Sequence, residues 1–127
     1  KGKLPLPVRG ELAGRFGAPR DETGVPWKGL FIKAREGTPV KAVAPGKVVF
    51  ADWMRGFGNL LIVDHGGGFM SLYGNAETLY KQVGENVQTG ESVAAVGNSG
   101  GIPQSGLYFE LRYQSRPVNP SNWLAHG

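Results

Sequence analysis

The fold class follows from one stretch of the chain, Glu36-Gly37-Thr38-Pro39-Val40-Lys41-Ala42-Val43-Ala44-Pro45-Gly46-Lys47-Val48-Val49. Valines lie at positions 40 and 43 and again at 48 and 49, and β-branched side chains favour extended backbone. The Pro45-Gly46 step between them is typical of a turn. The stretch therefore predicts two short strands separated by a tight turn.

The same pattern continues along the chain in both directions. Short β-rich runs are separated by turns that combine Gly with Pro, Asn or Ser, and seven runs are expected at residues 29–33, 40–43, 47–53, 60–64, 70–73, 92–96 and 107–113. So many short runs predict an all-β domain, mainly an antiparallel sheet or sandwich. One short helix is expected, at residues 76–80.

Chain length and composition bound the architecture. The 127 residues suit one domain, 1–127, and contain 21 Gly and 9 Pro, which is high for a helical protein. We expect residues 1–26, rich in Pro and Gly, to form an extended lead-in with little chemistry of its own, and residues 27–124 to form the core. The abrupt start predicts a domain taken from a longer protein.

Charge and cysteine content narrow the function classes. The net charge is +4, but the basic residues never form a run, so no nucleic-acid partner is expected. The absence of Cys excludes a disulfide framework and a Cys-based zinc site. No apolar run approaches the roughly 20 residues that a membrane helix needs, and the first residues lack the apolar stretch of a signal peptide.

An ordered series of motifs resembles the lysostaphin-like LytM family of zinc endopeptidases. It runs from about residue 27 to residue 112 and comprises Trp27-Lys28-Gly29-Leu30-Phe31-Ile32, the stretch 36–49, Gly56-Phe57-Gly58-Asn59, Val63-Asp64-His65-Gly66, Ser71-Leu72-Tyr73, Val83-Gly84-Glu85-Asn86-Val87 and Leu107-Tyr108-Phe109-Glu110. Val118-Asn119-Pro120 and Trp123-Leu124 resemble the usual end of the family domain. The resemblance implies the all-β LytM fold with little helix.

The resemblance also implies that the catalytic positions have been replaced. Active members hold zinc with a His, an Asp four residues later and the second His of a His-x-His pair, and a further His follows the mid-domain Tyr. Those positions carry here Trp27, Phe31, Asn75, Gly106 and Tyr108. Indole and phenyl groups are not zinc ligands, so we expect no enzymatic activity, no catalytic residue, no metal and no cofactor.

Among LytM-like domains without zinc ligands, the chain resembles the branch that activates periplasmic N-acetylmuramoyl-L-alanine amidases in cell division. The resemblance implies that the former active-site groove docks the zinc amidase and draws its inhibitory helix away, which promotes septal peptidoglycan splitting. It also implies a periplasmic address. In the full-length protein, a coiled coil outside this chain would connect to a membrane ABC-transporter-like division complex.

Strand alternation indicates which side chains face the groove. Leu107, Phe109 and Leu111 are expected on the core face, and Gly106, Tyr108, Glu110 and Arg112 on the groove face. The expected partner-binding groove consists of Trp27, Lys28, Phe57, Leu60, Tyr73, Asn75, Tyr108 and Arg112. For Trp27 and Phe31 the alternative is burial as core, with Phe31 leaning that way, and for Phe57 it is packing under its loop. Lys28 and Arg112 are alternatively solvated charges. Trp53 is expected to pack in the core or at its rim.

Two other functions remain open at this stage. A peptidoglycan-binding module without enzymatic activity would use the same aromatic and basic residues to hold glycan or peptide. A hydrolase built on an unfamiliar constellation would require a pair such as Asp64 and His65. His65 alternatively is a turn or surface residue, and His126 lies in the C-terminal tail.

Overall fold

The computed structural model describes residues 2–20 and 26–125. His126 therefore lies outside the described residues. Ten strands form the described part of the chain: β1 Glu11–Gly14, β2 Leu30–Lys33, β3 Pro39–Lys41, β4 Gly46–Met54, β5 Gly58–Gly66, β6 Phe69–Leu79, β7 Asn86–Val87, β8 Ser92–Val96, β9 Gly106–Tyr113 and β10 Arg116–Val118. The one helical segment among these residues is a 3-10 turn, Pro120–Asn122. The all-β prediction is confirmed.

Every paired strand in the sheet runs antiparallel to its neighbour. The main order is β1-β2-β9-β6-β5-β4-β7, with β10 beside β9 and the pair β3 and β8 joined to β6 through β8. The seven runs expected from the sequence correspond to β2, β3, β4, β5, β6, β8 and β9. Their turns carry glycines with positive φ, among them Gly56 and Gly66, a conformation that costs glycine little.

The longest strand, β6, corrects the expected helix. Residues 69–74 of β6 pair with β9, and Ala76, Thr78 and Leu79 pair with β8. The helix expected at 76–80 is therefore wrong, because residues 76–79 belong to a strand that connects two parts of the sheet. Asn75, with a φ of 63°, marks the point between the two pairings.

The lead-in belongs to the sheet and to the core. Strand β1 pairs with β2, with Glu11 opposite Lys33 and a bulge between Leu12 and Gly14. Val8 joins the main core cluster, in which valine, leucine and alanine side chains of both parts of the sheet pack around Phe109 and Tyr73. Burial of this apolar surface is the main favourable contribution to folding.

Strands β4 and β5 form a long hairpin. Strand β4 has a neighbour on both of its edges only near its first residues, and beyond them one edge has no paired strand among the described residues. It pairs with β5 throughout, but with β7 only at Gly46 and Lys47. Near the far end Trp53 is 56% exposed, so its expected place in the core or rim is wrong. The Trp53 N–H donates to Oδ1 of Asp52 at 2.7 Å.

Nowhere in the described residues is there a helix that could span a membrane.

Candidate functional site

A cleft lies where β2, β6 and β9 meet the lead-in and two loops. Its volume is about 390 Å³, and its lining combines aromatic and polar side chains with proline and glycine: Ala13, Pro19, Arg20, Trp27, Phe31, Gly56, Asn75, Ile102, Pro103, Gln104 and Tyr108. The resemblance gives five positions at which zinc-binding or catalytic residues are replaced. Four of them line the cleft: Trp27, Phe31, Asn75 and Tyr108. The fifth, Gly106, lies directly against Phe31.

Stacked aromatic rings form the floor of the cleft. The antiparallel register puts Phe31 of β2 opposite Tyr108 of β9. Trp27 lies against both, with ring centroids 6.0 Å from Phe31 and 5.9 Å from Tyr108, and Phe57 approaches Tyr108 from the β4–β5 turn at 5.7 Å. Phe31 and Tyr108 are buried, whereas Trp27 and Phe57 are half-buried and keep apolar surface open to a ligand.

Phe31 and Gly106 fit each other. A Cβ added at Gly106 would lie 2.5 Å from the Cζ atom of Phe31 and 2.6 Å from the carbonyl oxygen of Ile32. No side chain fits there while the phenyl ring occupies its observed place. The ring therefore fills space that a side chain at position 106 would need.

Below the rings, a buried carboxylate orients the polar atoms of β9. Glu110 is 1% exposed. Its Oε2 accepts a hydrogen bond from the Tyr108 hydroxyl at 2.6 Å, and its Oε1 accepts one from Nε of Arg112 at 2.7 Å. Burial, and then the hydrogen bond to Glu110, raise the pKa of Tyr108 far above its ordinary value. The Tyr108 hydroxyl is thus neutral, and its hydrogen atom is already used in the hydrogen bond to Glu110.

Asn75 connects the two loops beside the cleft. Its backbone N–H donates to the carbonyl oxygen of Phe57 at 2.6 Å, and its side-chain Nδ2 donates to the carbonyl oxygen of Ser99 at 2.8 Å. Asn is one of the few non-glycine residues that adopt a positive φ readily. Asn75 is 3% exposed. It therefore holds the β4–β5 turn and the β8–β9 loop in place from a buried position.

Arg20 covers part of the aromatic floor. Its Cζ atom lies 4.4 Å from the ring centroid of Trp27 and 5.9 Å from that of Tyr108. These are cation–π distances. Sequence analysis missed this residue, because the lead-in was expected to have little chemistry and no periodic pattern connects Arg20 with β9.

The predicted groove residues separate into two groups. Trp27, Asn75 and Tyr108 line the cleft, Phe57 packs against Tyr108, Arg112 is half-buried beside Glu110, and Lys28 is exposed next to Trp27. The expectation that Leu60 and Tyr73 lie at the groove surface is wrong, because both are 0% exposed. Tyr73 points into the core, where its hydroxyl accepts the Val43 N–H at 3.1 Å.

His65 has a structural role near the end of β5. Its Nδ1 lies 2.7 Å from the carbonyl oxygen of Pro45 and its Nε2 lies 2.6 Å from Oγ of Ser71. A carbonyl oxygen can only accept, so Nδ1 carries a hydrogen atom. Asp64 instead accepts the Gly66 N–H at 2.9 Å. The Asp64 and His65 pair considered for a hydrolase is therefore not assembled.

The cleft does not offer the ligands that a zinc ion needs. Catalytic zinc takes three protein ligands of the His, Cys, Asp or Glu type. Within residues 2–20 and 26–125, no three such side chains lie close enough to hold a metal ion. The one carboxylate below the rings, Glu110, is engaged by Tyr108 and Arg112. The described residues of the cleft therefore do not fit a zinc site.

Comparison with known proteins identifies relatives of this architecture. The model of peptidase family M23 matches residues 25–120. The chain is 45% identical to the murein hydrolase activator EnvC of Escherichia coli, a match that covers 98% of this chain and 29% of that protein. It is 34% identical to the murein hydrolase activator NlpD of Escherichia coli, with 93% of this chain and 30% of that protein covered.

Two further relatives extend the comparison. The chain is 34% identical to the cell division protein DipM of Caulobacter vibrioides, over 95% of this chain and 21% of that protein. Among solved structures, a putative peptidase M23 from Pseudomonas aeruginosa superposes with a TM-score of 0.83 at 28% identity, over 95% of this chain and 49% of that one. The chain thus spans less than a third of the length of each of the three sequence relatives.

Proposed function

Because the chain belongs to peptidase family M23 but shows no metal-holding group in its described residues, we propose that it is a non-catalytic member that activates a peptidoglycan hydrolase. The names of two relatives, both murein hydrolase activators, support this role. The single observation that carries the proposal is the aromatic floor of Trp27, Phe31 and Tyr108. This apolar surface lies at the positions that the resemblance gives for metal ligands.

The finer proposal concerns how the metal site was lost. Trp27, Phe31, Asn75, Gly106 and Tyr108 replace the ligating and catalytic residues of the active family members. The donor chemistry supports this reading: a phenyl ring and a glycine ligate nothing, indole N–H only donates, and the Tyr108 hydroxyl is bound to Glu110. The space of the former ion is filled by packing.

The partner we propose is a periplasmic zinc amidase that cleaves N-acetylmuramoyl-L-alanine bonds at the division septum. Its inhibitory helix would leave the amidase active site and dock in the cleft, as an amphipathic helix docks in an apolar groove. Partly exposed Trp and Phe side chains, and Arg112 on the strand that carries Tyr108, are residue types enriched where such segments bind, and the exposed Lys28 adds a positive charge beside Trp27. The cell-division name of one relative supports the setting.

The full-length protein would add what this chain does not contain. We propose that a coiled coil ties the domain to a membrane ABC-transporter-like division complex, and that the protein works in the periplasm. The names of relatives that act on murein support the address.

The test is dye release from labelled peptidoglycan by the amidase alone, by the chain alone and by the mixture. We expect release from the mixture far above that of the amidase alone and none from the chain alone. Tyr108→Ala should reduce stimulation about tenfold or more, because a buried aromatic side chain in an interface contributes strongly. Tyr80→Ala is the matched control, since Tyr80 is 53% exposed and lies outside the cleft.

Each contrary result has a defined meaning. Release by the chain alone would show that it is a hydrolase after all. Equal release with and without the chain would remove the activator proposal. Circular dichroism and urea unfolding of Tyr108→Ala establish that the variant is folded, and Phe57→Ala provides a second cleft variant at a half-buried turn position.

The second candidate function is a peptidoglycan-binding module without activity. The half-buried Trp27 beside Arg20 and Gln104 favours it, because an exposed ring with polar neighbours suits a sugar or peptide ligand. Co-sedimentation with purified cell wall, lost in Trp27→Ala and retained in Trp53→Ala, would support this function. Absence of co-sedimentation together with amidase stimulation would exclude it.

A further inference from the structure

We propose that Arg20 forms a carboxylate-binding subsite at the edge of the cleft and takes an Asp or Glu side chain of the docked segment. The subsite rests on the proposed function, in which a segment of a partner protein occupies this cleft. It assigns a binding role to the lead-in, which the resemblance to zinc peptidases leaves without one.

The backbone of the lead-in holds Arg20 in place. The Gly17 N–H donates to the carbonyl oxygen of Trp27 at 2.9 Å, and the Trp27 N–H donates to the carbonyl oxygen of Ala18 at 2.8 Å. Pro19 also bridges to Pro26. These contacts fix the lead-in next to Trp27, so the guanidinium group is delivered to the cleft by ordered backbone.

The guanidinium retains its hydrogen-bond donors. A cation–π contact with Trp27 requires no acceptor, and Arg carries five N–H donors in a planar fork that matches a carboxylate. No ion pair found among the described residues involves Arg20. The carboxylate below the floor, Glu110, is engaged by Tyr108 and Arg112 instead. Within residues 2–20 and 26–125, no carboxylate is paired with this guanidinium, so its donors can bind one from a partner.

The spacing indicates the pattern of the docked segment. Arg20 lies 5.9 Å from the centre of the Tyr108 ring. Side chains three or four residues apart on one helix face are separated by about 5–6 Å at their Cβ atoms. A helix docked over the cleft can therefore place an apolar side chain against the aromatic floor and the residue three or four positions away beside Arg20. We infer that this residue is acidic.

The experiment compares two arginines of the lead-in. Arg20→Met removes the charge and the donors but keeps an apolar stem for Trp27. Arg15→Met removes the same charge from an exposed residue that lines a different cavity. Calorimetric titration of each variant with the amidase should show about fivefold to tenfold weaker binding for Arg20→Met, as for a charge-assisted hydrogen bond at a partly exposed site. Arg15→Met should change the affinity by less than about twofold, because surface charges outside an interface contribute little.

Two further measurements identify the carboxylate. The affinity of the wild-type chain should fall more steeply with added salt than that of Arg20→Met, because salt screens the pair. Replacing each Asp or Glu of the amidase's inhibitory helix with its amide should reveal one position whose effect disappears in the Arg20→Met background. Non-additivity of this kind reports direct contact.

The outcomes separate the subsite from the function beneath it. If the wild-type chain does not bind the amidase, the proposed function fails and the subsite with it. If the chain binds but Arg20→Met matches Arg15→Met, the activator proposal stands and the subsite is refuted. Tighter binding by Arg20→Met would also refute it, since Arg20 would then merely obstruct the cleft.

Discussion

At position 106, a side chain as small as that of alanine is excluded by the ring of Phe31. The Cβ atom would lie 2.5 Å from Cζ of that ring and 2.6 Å from a carbonyl oxygen. A histidine could therefore not be placed at this position by a single substitution, and replacing Phe31 as well would still leave the Ile32 carbonyl oxygen 2.6 Å from the new Cβ atom.

We predict that Gly106→Ala destabilises the chain by about 1–3 kcal/mol, the usual effect of overpacking a filled core. Urea unfolding monitored by tryptophan fluorescence measures it. Gly74→Ala is the matched control beside Phe57 and Tyr108, because its added Cβ would meet the Phe57 carbonyl oxygen at a milder 3.3 Å. Equal stability of Gly106→Ala and wild type would show that both the Phe31 ring and the Ile32 carbonyl group move aside freely.

Single residues also show where sequence analysis of the site succeeded and failed. Strand alternation placed Tyr108 correctly, because period-two patterning is local information. It could not reveal that Leu60 and Tyr73 are fully buried, since their burial depends on strands distant in sequence. Arg20 reaches Trp27 through a loop whose path no local pattern specifies.

Among the elements, β6 depends most on its partners. Local sequence suggested a helix at 76–80, but pairing of Ala76, Thr78 and Leu79 with β8 makes the segment extended. Tertiary hydrogen bonds outweigh the weak intrinsic preference of such a short segment. The existence of the strands was predictable because turn residues delimit them. The exact ends of the strands were not, and neither was the pairing of β6 with both β9 and β8.

The junction of β6 yields the second prediction. Asn75→Ala should destabilise the chain by about 1–3 kcal/mol, because it loses the Ser99 hydrogen bond and places alanine at a φ of 63°. Asn75→Gly relieves the backbone cost and should be the more stable of the two. Urea unfolding gives both values.

The same substitutions should loosen the β8–β9 loop, because they remove the side-chain hydrogen bond to Ser99 but keep the backbone hydrogen bond to Phe57. Hydrogen exchange of residues 97–104 should accelerate in both variants, while residues 55–59 and β9 keep their protection. Unchanged exchange in residues 97–104 would contradict the role of the Asn75 side chain in holding this loop.

For the molecule as a whole, the order of motifs was sufficient to predict the family. The resemblance traced from residue 27 to residue 112 is confirmed by the family model, which matches residues 25–120. Fold class was predictable because seven runs and their turns are written locally in the chain. The surroundings of the cleft were not, because the lead-in and two loops reach it from three separate parts of the sequence.

The stability of the fold at high pH depends on Tyr73, whose side chain is buried at the centre of the core. Burial raises the pKa of Tyr73 from 10.0 to about 12. The folded state therefore keeps a proton that the unfolded state loses, so stability is complete below pH 10 and falls as the pH rises towards 12. Two pKa units correspond to about 3 kcal/mol for this fully buried group.

We predict that this alkaline loss is smaller in Tyr73→Phe. The variant should be less stable near pH 8, because the Val43 N–H loses its acceptor. The difference from wild type should shrink as the pH approaches 12, and urea unfolding across this range measures it. Tyr80→Phe, which changes an exposed hydroxyl, serves as the control. A constant difference at every pH would contradict the prediction.

The one-sided pairing of β4 has a consequence for how copies of the protein meet one another. An uncovered strand margin is a template on which a second chain adds and aggregation begins. Here the Asp52 carboxylate accepts the N–H of Trp53, the next residue, and a bulge between Val48 and Phe50 bends the strand. A negative charge and a bend are two devices by which natural sheets discourage such addition. These two features thereby discourage edge-to-edge pairing between the exposed hairpins of two copies of the chain.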